Sequence, residues 1–171
     1  LSQFYTHMQL FDQAIKSLQT SMEIASSRSD TLSIGWIYNS MGNIYSDYDF
    51  YDLATESYLK SNEILKSLRH INADYPLINL ASVYRDQLKF AEAESLYVDF
   101  LSRLDPEQIP RNSVIFNNMG LLRLEQKRYR ESIEFFVQAL AFKYRQGKPL
   151  HIANTYNNLT QAYTGLEDFE E

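Results

Sequence analysis

The chain has 171 residues, 44% of them hydrophobic, with five Gly and four Pro, which suits a globular domain or a short repeat array rather than a disordered segment. Its net charge of −6 disfavours a surface that neutralises nucleic-acid phosphates, and the absence of cysteine excludes disulfides and thiolate metal sites. No apolar run approaches the roughly 20 residues of a membrane-spanning helix, and the first residues lack the basic start and apolar run of a signal peptide. Because the chain begins with Leu and ends where another helix is predicted to start, we expect it to be a piece of a longer protein.

A short pattern recurs along the chain: an apolar residue, a small residue and, three residues after the small one, a tyrosine. Met41, Gly42 and Tyr45 form one copy, and further copies lie at 80–84 and 159–163, with weaker copies opening at positions 1 and 119. The small residues are Ser2, Gly42, Ala81, Gly120 and Thr160, spaced by 40, 39, 39 and 40 residues. Twelve residues after the first four of them come Ala14, Ala54, Ala93 and Ser132, each with a large apolar residue four residues later. Two series in one register predict an internal repeat.

Each repeat is predicted to be a pair of helices. In 34–48 the apolar residues follow the i, i+3, i+4, i+7 spacing of one helical face, a polar turn follows, and 53–68 carry a second such stripe. Asp30 and Asp74 are predicted N-caps. The predicted boundaries are 1–28 for a partial repeat, 29–69, 70–109 and 110–148 for three complete repeats, and 149–171 for a second partial repeat, all in one domain.

A small residue, a tyrosine three residues on, an alanine twelve residues on and an aromatic residue four beyond it resemble the tetratricopeptide repeat, W-x2-L-G-x2-Y…A-x3-F…P. The resemblance covers the whole chain, although the period exceeds the usual length of about 34 residues and the closing proline is absent or displaced. Residues 79–97 and 156–163 are similar to repeats of kinesin light chains, and the long period is similar to that of bacterial peptide-sensing regulators. The resemblance implies an all-α fold, a right-handed superhelical solenoid of tandem antiparallel helix pairs.

In such an array the first helix of each pair lines the concave side. Residues six and three before the small residue, and one and four after it, share one helical face, and the residue two before it is adjacent. Asparagine is over-represented on this face, and a carboxamide offers both a donor and an acceptor to an extended peptide. The predicted contacts are Trp36, Asn39, Asn43, Tyr75, Asn79, Ser82, Arg85, Asn117, Asn118, Leu121, Asn154, Asn157, Asn158 and Gln161, and Val114 and Leu124 share the face. The resemblance to kinesin light chains implies peptide-binding roles for Asn79, Asn117, Asn118, Asn157 and Asn158.

Some of these residues have alternative roles. Asn79, Asn118 and Asn158 are equally suited to satisfy polar groups of the neighbouring repeat. The basic stretch 123–130 is predicted to be a solvated turn, with an anion-binding patch as the alternative. The recurring small residues are predicted to mark close contacts between paired helices. The tyrosines at recurring positions, Tyr45, Tyr58, Tyr84, Tyr97 and Tyr163, are predicted to lie in the core.

The sequence carries no catalytic motif. Its five glycines are scattered and form no phosphate-binding loop, and His7, His70 and His151 have no metal-ligand spacing, so we expect these histidines to be solvated or capping residues. We predict no cofactor, no metal and no enzymatic activity.

The leading hypothesis is a module that binds a protein or peptide segment in its concave groove, as the sensor or adaptor part of a larger bacterial signalling or transcription-regulatory protein. The alternative is a structural scaffold that self-associates through its terminal repeats, because uncapped terminal repeats expose apolar faces. We expect no nucleic-acid binding, no membrane insertion and a cytoplasmic location, with the periplasm as the alternative compartment.

Overall fold

The computed structural model of the protein describes residues 2–105, 107–146 and 149–170. In these residues the secondary structure is helical, and no strand is present. The helices are α1 (Ser2–Ser27), α2 (Thr31–Asp47), α3 (Tyr51–Ser67), α4 (Tyr75–Asp86), α5 (Phe90–Ser102), α6 (Ser113–Glu125), α7 (Tyr129–Gln146) and α8 (Pro149–Glu170), with a short 3-10 helix at Ile109–Asn112. The prediction of an all-α fold is therefore confirmed.

The helices form two compact units. Unit 1 comprises Leu1–Gln87 and contains α1 to α4, and unit 2 comprises Leu88–Glu171 and contains α5 to α8. The boundary between the units falls inside the predicted repeat 70–109, between α4 and α5. Within the described part of the chain, no helix combines the length and the apolar character that crossing a membrane requires.

The turns inside the helix pairs keep the period of the repeat. Asp49, Leu88 and Lys127 have φ angles of 61°, 60° and 59°, and each lies seven residues after one of the recurring small residues. A left-handed residue is a common way to end a helix. The first partial repeat differs, because Gln9, at the same distance from Ser2, is helical and α1 is one continuous helix. The motif predicted to open that repeat starts at Leu1, which lies outside the described residues.

Two of the recurring small residues, Gly42 and Gly120, mark close contacts between paired helices, as predicted. A Cβ atom added to Gly42 would lie 2.6 Å from Cε1 of Tyr58 in unit 1. In unit 2, a Cβ atom added to Gly120 would lie 2.5 Å from Cε1 of Phe136. Glycine thus allows an aromatic ring to pack against the backbone of the facing helix. The stabilisation from this packing outweighs the cost of the low helix propensity of glycine.

Buried serine hydroxyls join the same pairs of helices. Ser61 Oγ on α3 donates a hydrogen bond of 2.7 Å to the carbonyl oxygen of Gly35 on α2. Ser132 Oγ on α7 donates one of 2.8 Å to the carbonyl oxygen of Gly120 on α6. Both serines are fully buried, so these bonds satisfy polar groups that burial would otherwise penalise.

The two predicted N-caps behave differently. Asp30 accepts a hydrogen bond of 3.0 Å from the backbone N–H of Ser33 and caps α2 as predicted. Asp74 occupies the cap position of α4, but its side chain makes no capping hydrogen bond. Its Oδ1 atom lies instead 3.4 Å from Nζ of Lys66 and 3.4 Å from Nδ2 of Asn62, which draw it towards α3.

The core prediction fails for Tyr163. Its side chain is 48% exposed, and Thr160, the small residue of its motif, is also exposed. The buried residues of α8 are instead Thr155 and Ala162, because α8 packs against α7 and no described helix covers its other side. The repeat pattern correctly predicts which residues share a face, but a face is buried only where a second helix packs on it.

The prediction of a solvated basic turn at 123–130 is wrong for Arg123, which is only 6% exposed. Its guanidinium forms a two-point ion pair with the carboxylate of Glu94 on α5, and its Nη1 atom also donates 3.0 Å to Oε1 of Gln126. Its Nε atom lies 3.3 Å from Oε2 of Glu131. Arg128 pairs with Glu131 at 2.7 Å, so acidic partners compensate much of the positive charge of this stretch.

The Glu94–Arg123 pair makes the stability of the fold dependent on pH. The hydrogen bond from Arg123 lowers the pKa of Glu94 below its ordinary value. A carboxyl group with a lowered folded-state pKa stabilises the fold above its unfolded-state pKa of about 4.3, and this stabilisation is lost as the pH falls towards the folded-state value. We expect the free energy of unfolding, measured with urea, to fall with pH below about 4.3 more steeply for the wild type than for Glu94→Gln. Equal slopes for the two proteins would contradict this assignment.

Candidate functional site

Three of the predicted contact residues meet on the joined surface of α2 and α4 in unit 1. Asn79 Nδ2 on α4 donates hydrogen bonds to Oδ1 of Asn39 at 3.1 Å and to Oδ1 of Asn43 at 3.3 Å, both on α2. Asn39 and Asn79 are 40 residues apart, one repeat period, which explains why helical stacking brings them together. We call such a pair of amides from successive repeats an amide rung.

A core tyrosine completes this rung. The ring of Tyr58 is buried against Gly42, and its hydroxyl donates a hydrogen bond of 2.8 Å to Oδ1 of Asn43. Burial, with a smaller effect of the carboxylates of Asp47 and Asp86, raises the pKa of Tyr58 and keeps the hydroxyl protonated as a donor. The sequence analysis assigned Tyr58 to the core alone. The signal it missed is that position 58 carries tyrosine, whose hydroxyl needs a partner when buried, where position 136 carries phenylalanine.

The other predicted contact residues of unit 1 differ in their exposure to solvent. Trp36 is half-buried, meets the ring of His70 edge-on at 5.5 Å, and lines a cleft of about 430 Å³ together with residues of α1. Tyr75 is 42% exposed at the start of α4, and Ser82 is half-buried. Arg85, predicted to be a cationic anchor, forms an ion pair of 2.7 Å with Asp86, which reduces its charge towards any ligand.

Unit 2 contains a second amide rung with the same construction. Asn117 Oδ1 on α6 accepts hydrogen bonds from Nδ2 of Asn158 at 3.3 Å and from Oγ1 of Thr155 at 2.9 Å, both on α8. Asn118, at the repeat position of Asn79 and Asn158, is half-buried. Thr155 was not predicted, because it lies one residue from the predicted face and its fully buried position follows from the packing of α8.

The predicted contact amides on α8 that lie outside this rung are open to solvent. Asn154, Asn157 and Gln161 are exposed on α8, and their side chains make no hydrogen bond to other described residues. Leu121 and Leu124 on α6 are half-buried on the adjacent helix. We call this combination of exposed amides and neighbouring leucines the open face.

A cleft of about 480 Å³ adjoins the open face. Leu124 and Glu125 at the end of α6 and Lys127 in the following turn line it, together with Gln161 and Thr164 of α8. Val114, at the other end of α6, is 53% exposed. The open face and this cleft therefore offer hydrogen-bonding groups, apolar surface and charged groups of both signs within unit 2.

The described residues do not include a group of three or more His, Asp or Glu side chains that could hold a metal ion. His70 is half-buried, and its Nδ1 atom accepts a hydrogen bond of 3.1 Å from the backbone N–H of Asn72 in the turn between α3 and α4. The side chains of His7 and His151 lie outside the described part of the structure.

Solved structures of other proteins support the fold, whereas sequence comparisons give no match. No model of a protein family matches the chain, and no curated protein sequence matches it. The chain is similar to the crystal structure of BtubC (BKLC) from P. vanneervenii, with a TM-score of 0.65 and 19% identity over 96% of this chain and 85% of that one. It is also similar to the nearly identical TPR-like repeats of a kinesin light chain from Podosopora anserina, with a TM-score of 0.60 and 15% identity over 98% of this chain and 86% of that one. The chain therefore has a tetratricopeptide-like helical-repeat fold.

Proposed function

We propose that the chain is a protein-interaction module that binds an extended protein or peptide segment, with the open face of unit 2 as a main contact surface. The observation that carries this proposal is the row of exposed amides Asn154, Asn157 and Gln161 beside Leu121 and Leu124. An extended segment has unpaired backbone N–H and C=O groups, and a carboxamide can pair with both. The leucines would contact apolar side chains of the segment and so add selectivity to the backbone contacts.

The amide rungs support the proposal in a different way. The Oδ1 atom of Asn117 accepts two hydrogen bonds from the next repeat and that of Asn39 accepts one, so the Nδ2 group of each side chain remains available as a donor. Donors held in place suit the carbonyl oxygens of an extended segment. Because the rungs already restrict these side chains, binding would lose less conformational entropy than binding by free amides.

Within this proposal the predicted contacts of unit 1, including Trp36 and Tyr75, form a second contact surface that adds aromatic area. The proposed role is that of a sensor or adaptor part of a larger bacterial signalling or transcription-regulatory protein that acts in the cytoplasm. Binding of a segment, rather than catalysis, is the activity that this arrangement of amides and apolar side chains favours.

The experiment is selection of binders from a displayed library of random linear peptides, followed by calorimetric titration of the selected peptides. We expect Asn157→Leu and Gln161→Leu each to weaken binding by about five- to tenfold, because each variant removes a hydrogen bond worth roughly 1 kcal/mol. Gln138→Leu, on an exposed part of α7, is the matched control and should leave the affinity unchanged. Selection of no peptide, or equal affinities for all three variants and the wild type, would overturn the proposal.

A further inference from the structure

The orientation of the amides in the rung of unit 1 depends on one buried hydroxyl group. Exchanging the oxygen and nitrogen positions of Asn39, Asn43 and Asn79 together would also connect these side chains by hydrogen bonds. In that arrangement Nδ2 of Asn43 would face the hydroxyl of Tyr58, which would then have no acceptor. Tyr58 is 2% exposed, and among the described residues its hydroxyl has no hydrogen-bond partner other than Asn43. A buried donor without an acceptor is costly, so Tyr58 fixes the orientation of the rung.

The fixed orientation directs the nitrogen of Asn43 away from the rung. Its Oδ1 atom accepts hydrogen bonds of 2.8 Å from the hydroxyl of Tyr58 and of 3.3 Å from Nδ2 of Asn79. Asn43 is exposed, and its Nδ2 group donates no hydrogen bond to another described residue. At this position unit 1 therefore presents a hydrogen-bond donor that is held in place and remains available to a ligand.

The hydroxyl and the amide are both absent from the corresponding positions of another repeat. In 110–148 the position of Tyr58 is occupied by Phe136 and that of Asn43 by Leu121, again 15 residues apart. The rings of Tyr58 and Phe136 both pack against a glycine of the facing helix. The hydroxyl is therefore not needed for the packing of the ring, and in unit 1 it occurs together with the amide that accepts its hydrogen bond.

We propose that Tyr58 is a positioning residue, which turns Asn43 so that its Nδ2 group donates to a backbone carbonyl oxygen of the bound segment. This inference rests on the proposed function and names the group that unit 1 recognises. Carbonyl oxygens of an extended segment are unpaired and recur along it, so they match a donor that is held at a fixed place. A helical segment would not suit this contact, because its carbonyl oxygens are used within the helix.

Nearby carboxylates favour a neutral carbonyl oxygen over an anionic group as the acceptor. Burial, and to a smaller extent the carboxylates of Asp47 and Asp86, raises the pKa of Tyr58. These two carboxylates act electrostatically on the hydroxyl that contacts Asn43, and they would repel a carboxylate or a phosphate bound to its Nδ2 group. Arg85 pairs with Asp86 and reduces this repulsion without reversing it.

The test of the positioning role uses Tyr58→Phe, which keeps the ring and removes the hydroxyl, so that both orientations of Asn43 become accessible. With the two orientations about equally populated, the affinity for a peptide selected from the displayed library is expected to fall about twofold. In the free protein, NMR relaxation of the Asn43 side-chain amide should give a lower order parameter in Tyr58→Phe than in the wild type. A Tyr58→Phe variant with wild-type affinity, or with unchanged relaxation, would overturn the positioning role.

Two further variants separate binding from stability. Asn43→Leu removes the donor and leaves the hydroxyl of Tyr58 without its acceptor, so we expect it to lose stability and to bind about five- to tenfold more weakly. The double variant Asn43→Leu/Tyr58→Phe carries the residue pair of Leu121 and Phe136, and it should recover stability in urea while its binding stays weak. Wild-type affinity in Asn43→Leu, or recovery of binding in the double variant, would overturn the proposal.

A control and a second site distinguish this inference from the proposed function. Gln19→Leu, exposed on α1, is the matched control and should bind as the wild type does. Loss of binding in Asn157→Leu but not in Asn43→Leu would overturn the inference alone. Selection of no peptide would overturn both, because Asn43 would then have no bound segment to contact.

Discussion

Replacing Glu94 with isoleucine is expected to lower the free energy of unfolding by about 3 kcal/mol, because the change leaves the charge of Arg123 buried without its main partner. Arg123 is 6% exposed, and Glu94 provides both oxygens of its two-point ion pair. Glu131, 3.3 Å from Nε of Arg123, remains as a weaker partner, which places the expected loss at the lower end of the range for broken buried pairs. Urea denaturation at neutral pH measures the change.

The double variant Glu94→Ile/Arg123→Tyr is the control for this prediction. Other repeats carry tyrosine at the position of Arg123, as in Tyr45 and Tyr84, and isoleucine at the position of Glu94, as in Ile133. Replacement of a buried ion pair by packed apolar residues is often neutral or stabilising. We therefore expect the double variant to recover most of the stability that the single variant loses. A double variant less stable than the single one would contradict this account of the pair.

Replacing Gly120 with alanine is expected to destabilise the fold by about 1–3 kcal/mol through overpacking. In an ordinary helix interior the same change stabilises by about 1 kcal/mol, so the sign of the effect is diagnostic. The added Cβ atom would lie 2.5 Å from Cε1 and 2.6 Å from Cδ1 of Phe136, a ring that is fully buried. Thermal unfolding followed by circular dichroism measures the change. The same argument predicts a loss of at least this size for Gly42→Leu, opposite Tyr58.

A double-mutant cycle with Phe136→Leu isolates the contact. The smaller leucine side chain makes space for the new methyl group, although Phe136→Leu alone leaves a cavity that costs stability. We expect Gly120→Ala to cost clearly less in the Phe136→Leu background than in the wild type, with a favourable coupling energy between the two changes. A Gly120→Ala variant more stable than the wild type would show that the ring does not pack against this backbone.

The fold was predictable from the sequence because its signal repeats. Gly42, Ala81 and Gly120 recur in one register with Ala54, Ala93 and Ser132, and each series depends only on local spacing along a helix. Repeated local signals reinforce one another, so the pairing of helices and the positions of their contacts follow from periodicity. The burial of a given face does not follow, since Tyr163 has the same pattern as Tyr45 but lacks a covering helix.

The location of the candidate site could be predicted from the sequence, but the hydrogen bonds between its side chains could not. Helical phase placed Asn39, Asn43 and Asn79 on one surface, and the structure brings these three side chains together. The choice of donor and acceptor among these amides depends on distances of a few ångström between helices. The spacing of residues along the sequence does not determine such distances. The hydroxyls of Tyr58 and Thr155 complete the rungs from residues that periodicity assigns to the core or to no face at all.

The burial of Arg123 was hidden from the sequence for a related reason. Its neighbours along the chain are charged, which is the pattern of a solvated turn. The partner that allows burial, Glu94, is 29 residues away on α5. An ion pair between two charged residues that are distant in the chain leaves no pattern in a single sequence. A periodic series of apolar residues does leave such a pattern.

The central claim is that the exposed amides of α8 contact the bound segment, whereas the amides of the rungs serve first to join repeats. Two-dimensional NMR of the side-chain amide groups of Asn and Gln, recorded while a selected peptide is added, tests this claim most directly. The account predicts large shifts for Asn154, Asn157 and Gln161 and small shifts for Asn79, whose Nδ2 group is held by Asn39 and Asn43. Large shifts at Asn79 with unchanged signals from Asn154, Asn157 and Gln161 would contradict it.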